Sequence, residues 1–126
     1  MLIDTDVIIW HMRGNFRATK ALDRLHDPAI SAVTYMELVQ GMRDKRELNT
    51  LRETLAGRGI EILPINEGIS HKAMFLVEQH FHSRSLRLAD ALIGATALEH
   101  GQALLTANTK HYGAIKALTL EQFRPG

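Results

Sequence analysis

The stretch Met1-Leu-Ile-Asp-Thr-Asp-Val-Ile-Ile-Trp10 decides the fold. A short apolar run stops at Asp4, a second acid follows at Asp6, and apolar residues then resume. We interpret Leu2-Ile3 as a short buried strand that leads into a helix over residues 5–12. A carboxylate at the end of a buried strand is costly to desolvate unless something compensates it. In open parallel α/β sheets, that end of the strand is also where ligands bind.

The length and composition of the chain are those of one folded domain. The sequence has 126 residues, of which 45% are hydrophobic, so it is long and apolar enough to bury a sizeable core. It contains no cysteine, which excludes a disulfide framework, a thiolate zinc site and a thiol nucleophile. We therefore expect residues 1–126 to form a single domain.

The charge balance and the apolar runs bear on partners and compartment. Fifteen Lys and Arg stand against fourteen Asp and Glu, which neither supports nor excludes nucleic acid, because an acidic metal centre and a basic rim cancel in the sum. No run approaches the roughly 20 apolar residues of a membrane span, and the N-terminus lacks the basic start of a signal peptide. We expect a cytoplasmic protein without membrane contact.

Short apolar strands and helical patterns alternate along the whole chain, which predicts an α/β fold with a parallel sheet and helices on both faces. Four strands are predicted, with a possible fifth at the edge of the sheet: residues 2–3, 29–31, 60–63, 103–106 and 118–120. Helices are predicted over residues 5–12, 17–26, 34–43, 44–55, 66–82 and 90–100, with a basic loop over residues 83–89.

Three acids follow predicted strands or open predicted helices, and each has a structural alternative. Asp4 could be the N-cap of the helix after it, because aspartate there accepts a backbone N–H. Asp6 suits the first turn of that helix, where the dipole favours an acid. Glu37 fits a capping box with Thr34, yet it also lies on the first turn of a helix just past the second strand, at the same edge of the sheet as Asp4.

Asp90 and the turn after the fourth strand complete this set. Asp90 could cap its helix, but the segment Asp90-Ala-Leu-Ile-Gly-Ala-Thr-Ala-Leu98 is so apolar that the helix should be central, with its first residue facing a pocket. Asn108 follows the fourth strand, with an Asx-turn or cap as its alternative. His111 comes three residues later, and a lone histidine is more often a surface or core residue than a ligand.

The combined pattern is more informative than any one acid. Asp4, Glu37 and Asp90 all fall where strands lead into helices, and in a parallel sheet those points gather at one edge. Three carboxylates there would repel one another strongly in a low-dielectric pocket. Mg²⁺ or Mn²⁺ relieves such repulsion, because these hard cations take oxygen ligands. A site of this kind suits phosphodiester hydrolysis by metal-activated water.

Four motifs then carry a resemblance to a known family. In chain order they are Leu2-Ile-Asp-Thr-Asp-Val-Ile8, Thr34-Tyr-Met-Glu-Leu-Val-Gln-Gly41, Leu88-Ala-Asp-Ala-Leu-Ile-Gly-Ala-Thr-Ala-Leu98 and Leu105-Thr-Ala-Asn-Thr-Lys-His-Tyr112. With these motifs the sequence resembles a PIN domain, specifically the VapC-type toxin ribonucleases of bacterial toxin–antitoxin pairs. The resemblance covers nearly the whole chain, and it implies a PIN-like α/β/α sandwich with a central parallel sheet of four to five strands.

The resemblance also implies an activity and its residues. It implies a Mg²⁺-dependent endoribonuclease in which Asp4, Glu37 and Asp90 are the metal-binding and catalytic carboxylates. The family often has a fourth acid in the last motif, where this chain offers Asn108 and His111 instead. Supporting roles fall to Asp6, Thr34, Thr106, Asn108 and His111. Basic residues that could contact RNA or the antitoxin are Arg13, Arg43, Arg84 and Arg87.

The implied partners are an RNA substrate, a cognate antitoxin, a second copy of the chain in a homodimer, and DNA through the antitoxin alone. Two alternatives remain open. Asp4-Thr-Asp6 after apolar residues resembles the start of a haloacid-dehalogenase-type phosphatase, whose first aspartate is a covalent nucleophile, although Ile8 stands where Thr or Val is usual. The other alternative is a non-catalytic PIN-like interaction module, which only the Asn108 and His111 departure favours.

Overall fold

A computed structural model describes residues 1–83 and 85–126 of the chain. Along these residues, strands and helices alternate as the sequence predicts, and they form an α/β architecture. The strands are β1 (Leu2–Ile3), β2 (Ala29–Ser31), β3 (Glu61–Leu63), β4 (Leu104–Thr106) and β5 (Leu120–Gln122). The helices are α1 (Thr5–Met12), α2 (Phe16–Asp23), α3 (Ala32–Gln40), α4 (Lys45–Gly57), α5 (Glu67–Gln79), α6 (Leu88–Glu99) and α7 (Thr109–Tyr112).

The strands form one sheet in the order β3-β2-β1-β4-β5, and every pairing in it is parallel. The opening strand β1 is therefore central, with Leu2 opposite Ala29 on one side and Leu104 on the other. The predicted parallel sheet is confirmed. Its edge strand begins at Leu120 rather than Leu118, because Leu118 is buried in the core and its N–H closes a turn onto the carbonyl of Ile115.

Helices cover both faces of the sheet, which gives the α/β/α layering. Successive strand residues point to opposite faces, so the two residues of β1 serve different cores. Leu2 packs with α5 and α6 on one face, and Ile3 packs with α1, α2 and α4 on the other. Both side chains are fully buried.

Helix α6 is the most buried helix that the described residues form, as its apolar sequence predicts. Seven of its twelve residues are buried, including Asp90 and Gly94. A Cβ placed on Gly94 would lie 3.0 Å from Cδ1 of Ile115, which is tighter than ordinary van der Waals contact. The small residue thus lets α6 approach the segment before β5 closely. Among the described residues, no helix is long and apolar enough to cross a membrane.

Candidate active site

The carboxyl edge of the sheet collects the predicted site residues. Asp4 follows β1, α3 begins directly after β2, and Thr106 ends β4. The backbone N–H of Asp4 donates to the carbonyl of Leu105 at 2.9 Å, which fixes the end of β1 against β4. Because neighbouring strands are parallel, side chains at their carboxyl ends lie on one side of the molecule.

Asp4 is both a helix cap and a buried residue of the candidate site. Its Oδ1 accepts from the Thr5 N–H at 2.8 Å, so it caps α1, and also from the Tyr112 hydroxyl at 3.1 Å. Its Oδ2 accepts from the Thr106 hydroxyl at 2.7 Å. Asp4 is only 5% exposed. Burial therefore raises the pKa of Asp4, these hydrogen bonds oppose the rise, and the charge of Asp90 adds to it.

Asp6 takes a larger part in the site than a first-turn acid would. Its Oδ2 accepts from the Ala107 N–H at 3.1 Å and from Nδ2 of Asn108 at 3.0 Å. Its Oδ1 is buried and has no hydrogen-bond partner within residues 1–83 and 85–126. Burial, with a further contribution from the Asp4 charge, raises the pKa of Asp6 to about 7. Asn108, one of the predicted supporting residues, therefore contacts an acid of the candidate site.

Glu37 is connected to the same edge through two threonines. The predicted capping box of Thr34 and Glu37 does not form, because Ser31 is the N-cap of α3 and accepts from the Val33 N–H at 3.0 Å. The Thr34 hydroxyl is fully buried and lies 3.0 Å from the Thr5 hydroxyl. Thr5 in turn donates to Oε1 of Glu37 at 2.7 Å. The exposed Glu37 is thereby held beside the residue that follows Asp4.

Asp90 lies on the first turn of α6 without being its N-cap residue. Arg87 occupies the N-cap position, and its backbone N–H donates to Oδ2 of Asp90 at 3.0 Å. Asp90 is 9% exposed, and Nδ1 of His111 lies 3.7 Å from the same oxygen. The Asp90 charge raises the pKa of both Asp4 and Tyr112, so these groups share one electrostatic environment.

Two residues outside the set predicted from the sequence complete this network. Tyr112 is 1% exposed, and its hydroxyl donates to Asp4. Burial, then the charges of Asp4 and Asp90, raise the pKa of Tyr112 far above its usual range, so it stays a donor. Thr5 links Glu37 to Thr34. The only sequence signal for Tyr112 is its place four residues after Asn108, one turn further along a short helical segment.

Three of the four basic residues predicted to contact RNA or antitoxin lie around this edge. Arg13 and Arg43 line one groove of about 530 Å³ together with Glu37. Arg43 is held there by Glu47, whose Oε2 lies 2.7 Å from Nη2 and 3.1 Å from Nε. Arg87 is exposed at the start of α6. Arg84, the fourth predicted residue, lies outside the described residues.

The donor set fits a hard divalent cation by its chemistry. Asp4, Glu37 and Asp90 offer carboxylate oxygens, and the charge of Asp90 disfavours ionisation of Asp4. In the described part of the chain, however, no three His, Asp or Glu side chains are grouped so that they could hold one ion as they stand. Hydrogen bonds from Thr106, Tyr112, Thr5 and the Arg87 N–H reach oxygens of all three carboxylates, whereas Oε2 of Glu37 and Oδ1 of Asp90 accept none of these bonds.

Comparison with known proteins identifies the class. The family model described as PIN domain matches residues 1–116. The chain therefore belongs to the PIN-domain family, and the resemblance carried by its four motifs is confirmed. It is 33% identical over 122 residues to Ribonuclease VapC10 of Mycobacterium tuberculosis, an alignment that covers 94% of this chain and 90% of the relative.

Solved structures agree in fold over the full length. A chain of a toxin–antitoxin complex from Klebsiella pneumoniae aligns with a TM-score of 0.80 and 29% identity, covering 99% of this chain and 97% of that one. A chain of FitAcB from Neisseria gonorrhoeae aligns with a TM-score of 0.75 and 30% identity, covering 98% and 96%. The PIN-like α/β/α sandwich expected from the sequence is thus confirmed.

Proposed function

We propose that this chain is a metal-dependent endoribonuclease, the toxin component of a type II toxin–antitoxin pair. The observation that carries the proposal is the buried carboxylate of Asp4 at the carboxyl edge of a PIN fold. Burial and the charge of Asp90 raise the pKa of this carboxylate. Kinship with a protein named Ribonuclease VapC10 supports the same activity. Residues 1–126 would act as a single PIN-like domain, and we place its action in the cytoplasm.

Asp4, Glu37 and Asp90 would hold the cation, for which we propose Mg²⁺ with Mn²⁺ as a substitute. A bound divalent cation supplies activation of water and stabilisation of charge on the phosphate. The chain's own residues fix the donors: Thr106 and Tyr112 orient the two oxygens of Asp4, and Thr5 holds Glu37. No side chain serves as the nucleophile.

Asp6 and its partners would act as positioning residues. Asp6 binds the Ala107 N–H and the Asn108 side chain, and the Asn108 N–H donates to the Thr106 hydroxyl at 2.9 Å. Thr106 in turn holds Asp4. The first and last motifs of the chain are thus joined side by side, which would keep Asp4 fixed while substrate binds. His111, whose Nδ1 lies 3.7 Å from Oδ2 of Asp90, would help to position that carboxylate.

The surrounding surface would bind the partners. Arg13 and Arg43, in the groove that Glu37 also lines, would contact RNA phosphates or the cognate antitoxin. Arg84 and Arg87 would make contacts of the same kind. A toxin–antitoxin complex among the similar structures supports an antitoxin partner. We further propose that the toxin is a homodimer and that it meets DNA only through the antitoxin.

RNA cleavage by purified, antitoxin-free protein tests the activity and the site together. We expect cleavage with Mg²⁺ or Mn²⁺ and none with chelator. Asp4→Asn, Glu37→Gln and Asp90→Asn should each lower the rate at least about 100-fold, equivalent to roughly 2.7 kcal/mol in the barrier. Glu53→Gln, which removes an exposed carboxylate on α4, is the matched control and should cleave like the wild type.

Three outcomes would contradict the proposal in different ways. Folded wild-type protein that cuts no RNA with either cation would favour the non-catalytic module. Cleavage that survives both Asp4→Asn and Asp90→Asn would show that the ligands are wrongly assigned. A covalent aspartyl-phosphate at Asp4 would instead support the phosphatase alternative, which family membership argues against.

A further inference from the structure

A second concave surface lies between helix α2 and the edge strand β5, outside the carboxylate site. It encloses about 610 Å³. We call it the α2–β5 groove, and its charged and titratable lining residues are Arg17, Lys20, Arg24, His26, Glu121 and Arg124. Four Arg or Lys side chains against a single glutamate make this groove strongly positive in a chain whose formal net charge is only +1.

The positive face follows from the sequence of α2. Arg17, Lys20 and Arg24 are spaced three and four residues apart, so they lie on one side of a helix. Ala18 and Leu22 occupy the opposite side and are buried in the core. Within the described residues, no carboxylate lies at ion-pair distance from the four cations of the groove, Arg17, Lys20, Arg24 and Arg124. By contrast, Arg43, Arg58 and Lys72 each form an ion pair with an acidic side chain. The charge of the groove is therefore available to an external anion.

The groove adjoins the carboxylate site through one strand pair. Gln122 lines the groove and is the sheet partner of Thr106, which donates to Asp4. The Phe123 N–H also donates to the Thr106 carbonyl at 2.8 Å. Strand β4 stands between β5 and β1. Neighbouring strands lie about 4.8 Å apart, so the Gln122 end of the groove is two strand spacings, roughly 10 Å, from the end of β1 at Asp4.

The two ends of the groove are fixed by the fold. Asn15, the N-cap of α2, donates through Nδ2 to the Pro125 carbonyl at 3.0 Å, which holds the start of α2 against the chain beyond β5. Met1 and His26 line the groove and lie just before β1 and β2, at the opposite edge of the sheet. The groove thus leads from the carboxylate edge towards the amino edge.

We propose that the α2–β5 groove binds the backbone of single-stranded RNA that flanks the scissile phosphate, an inference that rests on the proposed ribonuclease function. Arg17 and Arg24 are about 10 Å apart along the helix axis. Successive phosphates of a stacked strand rise about 3.4 Å along the strand axis, so the row of cations runs alongside roughly three nucleotides. An enclosing groove with cations along its length suits a flexible polyanion better than a single phosphate.

An aromatic side chain beside the groove favours RNA over an acidic polypeptide. Phe16 is 69% exposed, and Nζ of Lys20 lies 5.0 Å from its ring centroid. Proteins that bind single strands combine a positive groove with aromatic faces on which bases stack. A purely acidic peptide has no flat ring to place on Phe16, whereas the bases of RNA can stack on it.

Binding in the presence of chelator, where cleavage is suppressed, tests the groove separately from the chemistry. The probe is a fluorescent mixed-sequence 12-nucleotide RNA, titrated with antitoxin-free protein and followed by anisotropy. Arg17→Gln, Lys20→Gln and Arg24→Gln are combined in one variant. The matched control combines Lys45→Gln, Arg52→Gln and Lys116→Gln, which removes equal charge outside the groove. Thermal unfolding checks that both variants are folded.

The groove variant should bind at least about 10-fold more weakly than the wild type, and the control should not. Each lost phosphate contact lowers the salt slope for single strands by about 0.7. Between 50 and 200 mM salt, the wild type should therefore lose about 20-fold more affinity than the groove variant. Phe16→Ala should also weaken binding, but with the wild-type salt slope.

The remaining outcomes separate the groove from the ribonuclease function. If the wild type cleaves RNA but the groove variant binds with unchanged affinity and salt slope, the groove proposal fails and the ribonuclease function stands. If the wild type does not cleave but binding still depends on the groove, the function fails and the groove stands. Displacement of RNA by a 12-residue polyglutamate at equal concentration would assign the groove to an acidic polypeptide and overturn the RNA proposal.

Discussion

At the scale of single residues, capping a helix is compatible with belonging to the candidate site. Asp4 accepts the first N–H of α1 and still shares its buried environment with Asp90. The structural alternative for Asp4 was therefore correct and did not exclude the functional one. For Glu37 the structural alternative was wrong, because Ser31 rather than Thr34 caps α3. A local pattern can identify a cap, but it does not decide whether the cap is also buried with other acids.

Tyr112→Phe tests how much the buried carboxylate depends on its donors. The substitution removes the hydrogen bond to Oδ1 of Asp4 while preserving the ring. Because a hydrogen bond to a buried charged group contributes about 1.5–3 kcal/mol, we expect a loss of that size in the free energy of unfolding at pH 7.5. The loss should be smaller near pH 4, where the raised pKa of Asp4 favours its neutral form. Urea unfolding at both pH values measures it.

Tyr35→Phe is the matched control for this experiment. The Tyr35 hydroxyl lies 3.4 Å from Nε of the exposed Arg52, a weak contact at the surface. Its loss should change the free energy of unfolding by no more than about 0.5 kcal/mol. Equal losses in the two variants would mean that the Tyr112 hydroxyl does not stabilise Asp4 in the way the geometry indicates.

Asp6→Asn tests the cost of the second acid through pH. In the folded state the pKa of Asp6 is about 7, above its usual 3.8. Between pH 3.8 and 7, Asp6 is therefore protonated in the native state and ionised in the unfolded state. Stability therefore falls as pH rises from about 4 to 7. Asparagine can keep both hydrogen bonds through its oxygen and carries no charge. The variant should match the wild type near pH 4 and be more stable by up to about 4 kcal/mol at pH 8.

Unfolding in chelator across pH 4–8 measures this divergence, and Asp27→Asn serves as its control. Asp27 is exposed and has a φ of 48°, a conformation that asparagine also adopts. The control curve should run parallel to that of the wild type. A pH-independent offset for Asp6→Asn would show that the Asp6 carboxylate is not penalised in the fold.

At the scale of elements, close packing of α6 sets where the Asp90 end of the site can lie. Gly94→Val adds a branched side chain where even a Cβ would press on Ile115, with Leu118 and Tyr112 also within 4 Å. Overpacking of this kind typically costs about 1–3 kcal/mol. We expect that loss in urea unfolding, together with reduced RNA cleavage, because Tyr112 is one of the residues displaced.

Gly57→Ala provides the comparison at a helical glycine without such neighbours. Gly57 ends α4, and no heavy atom outside its local backbone lies within 4 Å of an added Cβ. Alanine there should be neutral or stabilising by up to about 1 kcal/mol. If Gly94→Val is equally harmless, then α6 is not as tightly held against the segment before β5 as the structure indicates.

The elements also show where sequence patterns stop being informative. Helical spacing predicted α2 from its apolar side, but it gave no reason to single out the opposite row of Arg17, Lys20 and Arg24. The start of α3 was predicted at Thr34, but Ser31 at the end of β2 also caps the helix, which therefore begins at Ala32. The edge strand was placed two residues early because Leu118, a strand-like residue, serves the core instead.

At the scale of the whole molecule, the alternation of strands and helices was enough to predict a parallel sheet with the acids at one edge. What the alternation could not supply was the set of contacts made across the length of the chain. Asp6 accepts hydrogen bonds from Ala107 and Asn108, about a hundred residues later in the sequence, and Asp4 accepts one from Tyr112, 108 residues later. Such partners have no local signal, because they depend on β1 lying next to β4.

The separation between the two halves of the site also has a consequence during protein synthesis. Asp4 is made first, yet Thr106 and Tyr112, which hold it, lie 102 and 108 residues later. At about 5–20 residues per second, Asp4 waits roughly 5–20 s for these partners. A nascent chain therefore has no assembled site while most of it is still being translated. Because Thr106 and Tyr112 come so late in the chain, the site that they complete can form only when synthesis is almost finished.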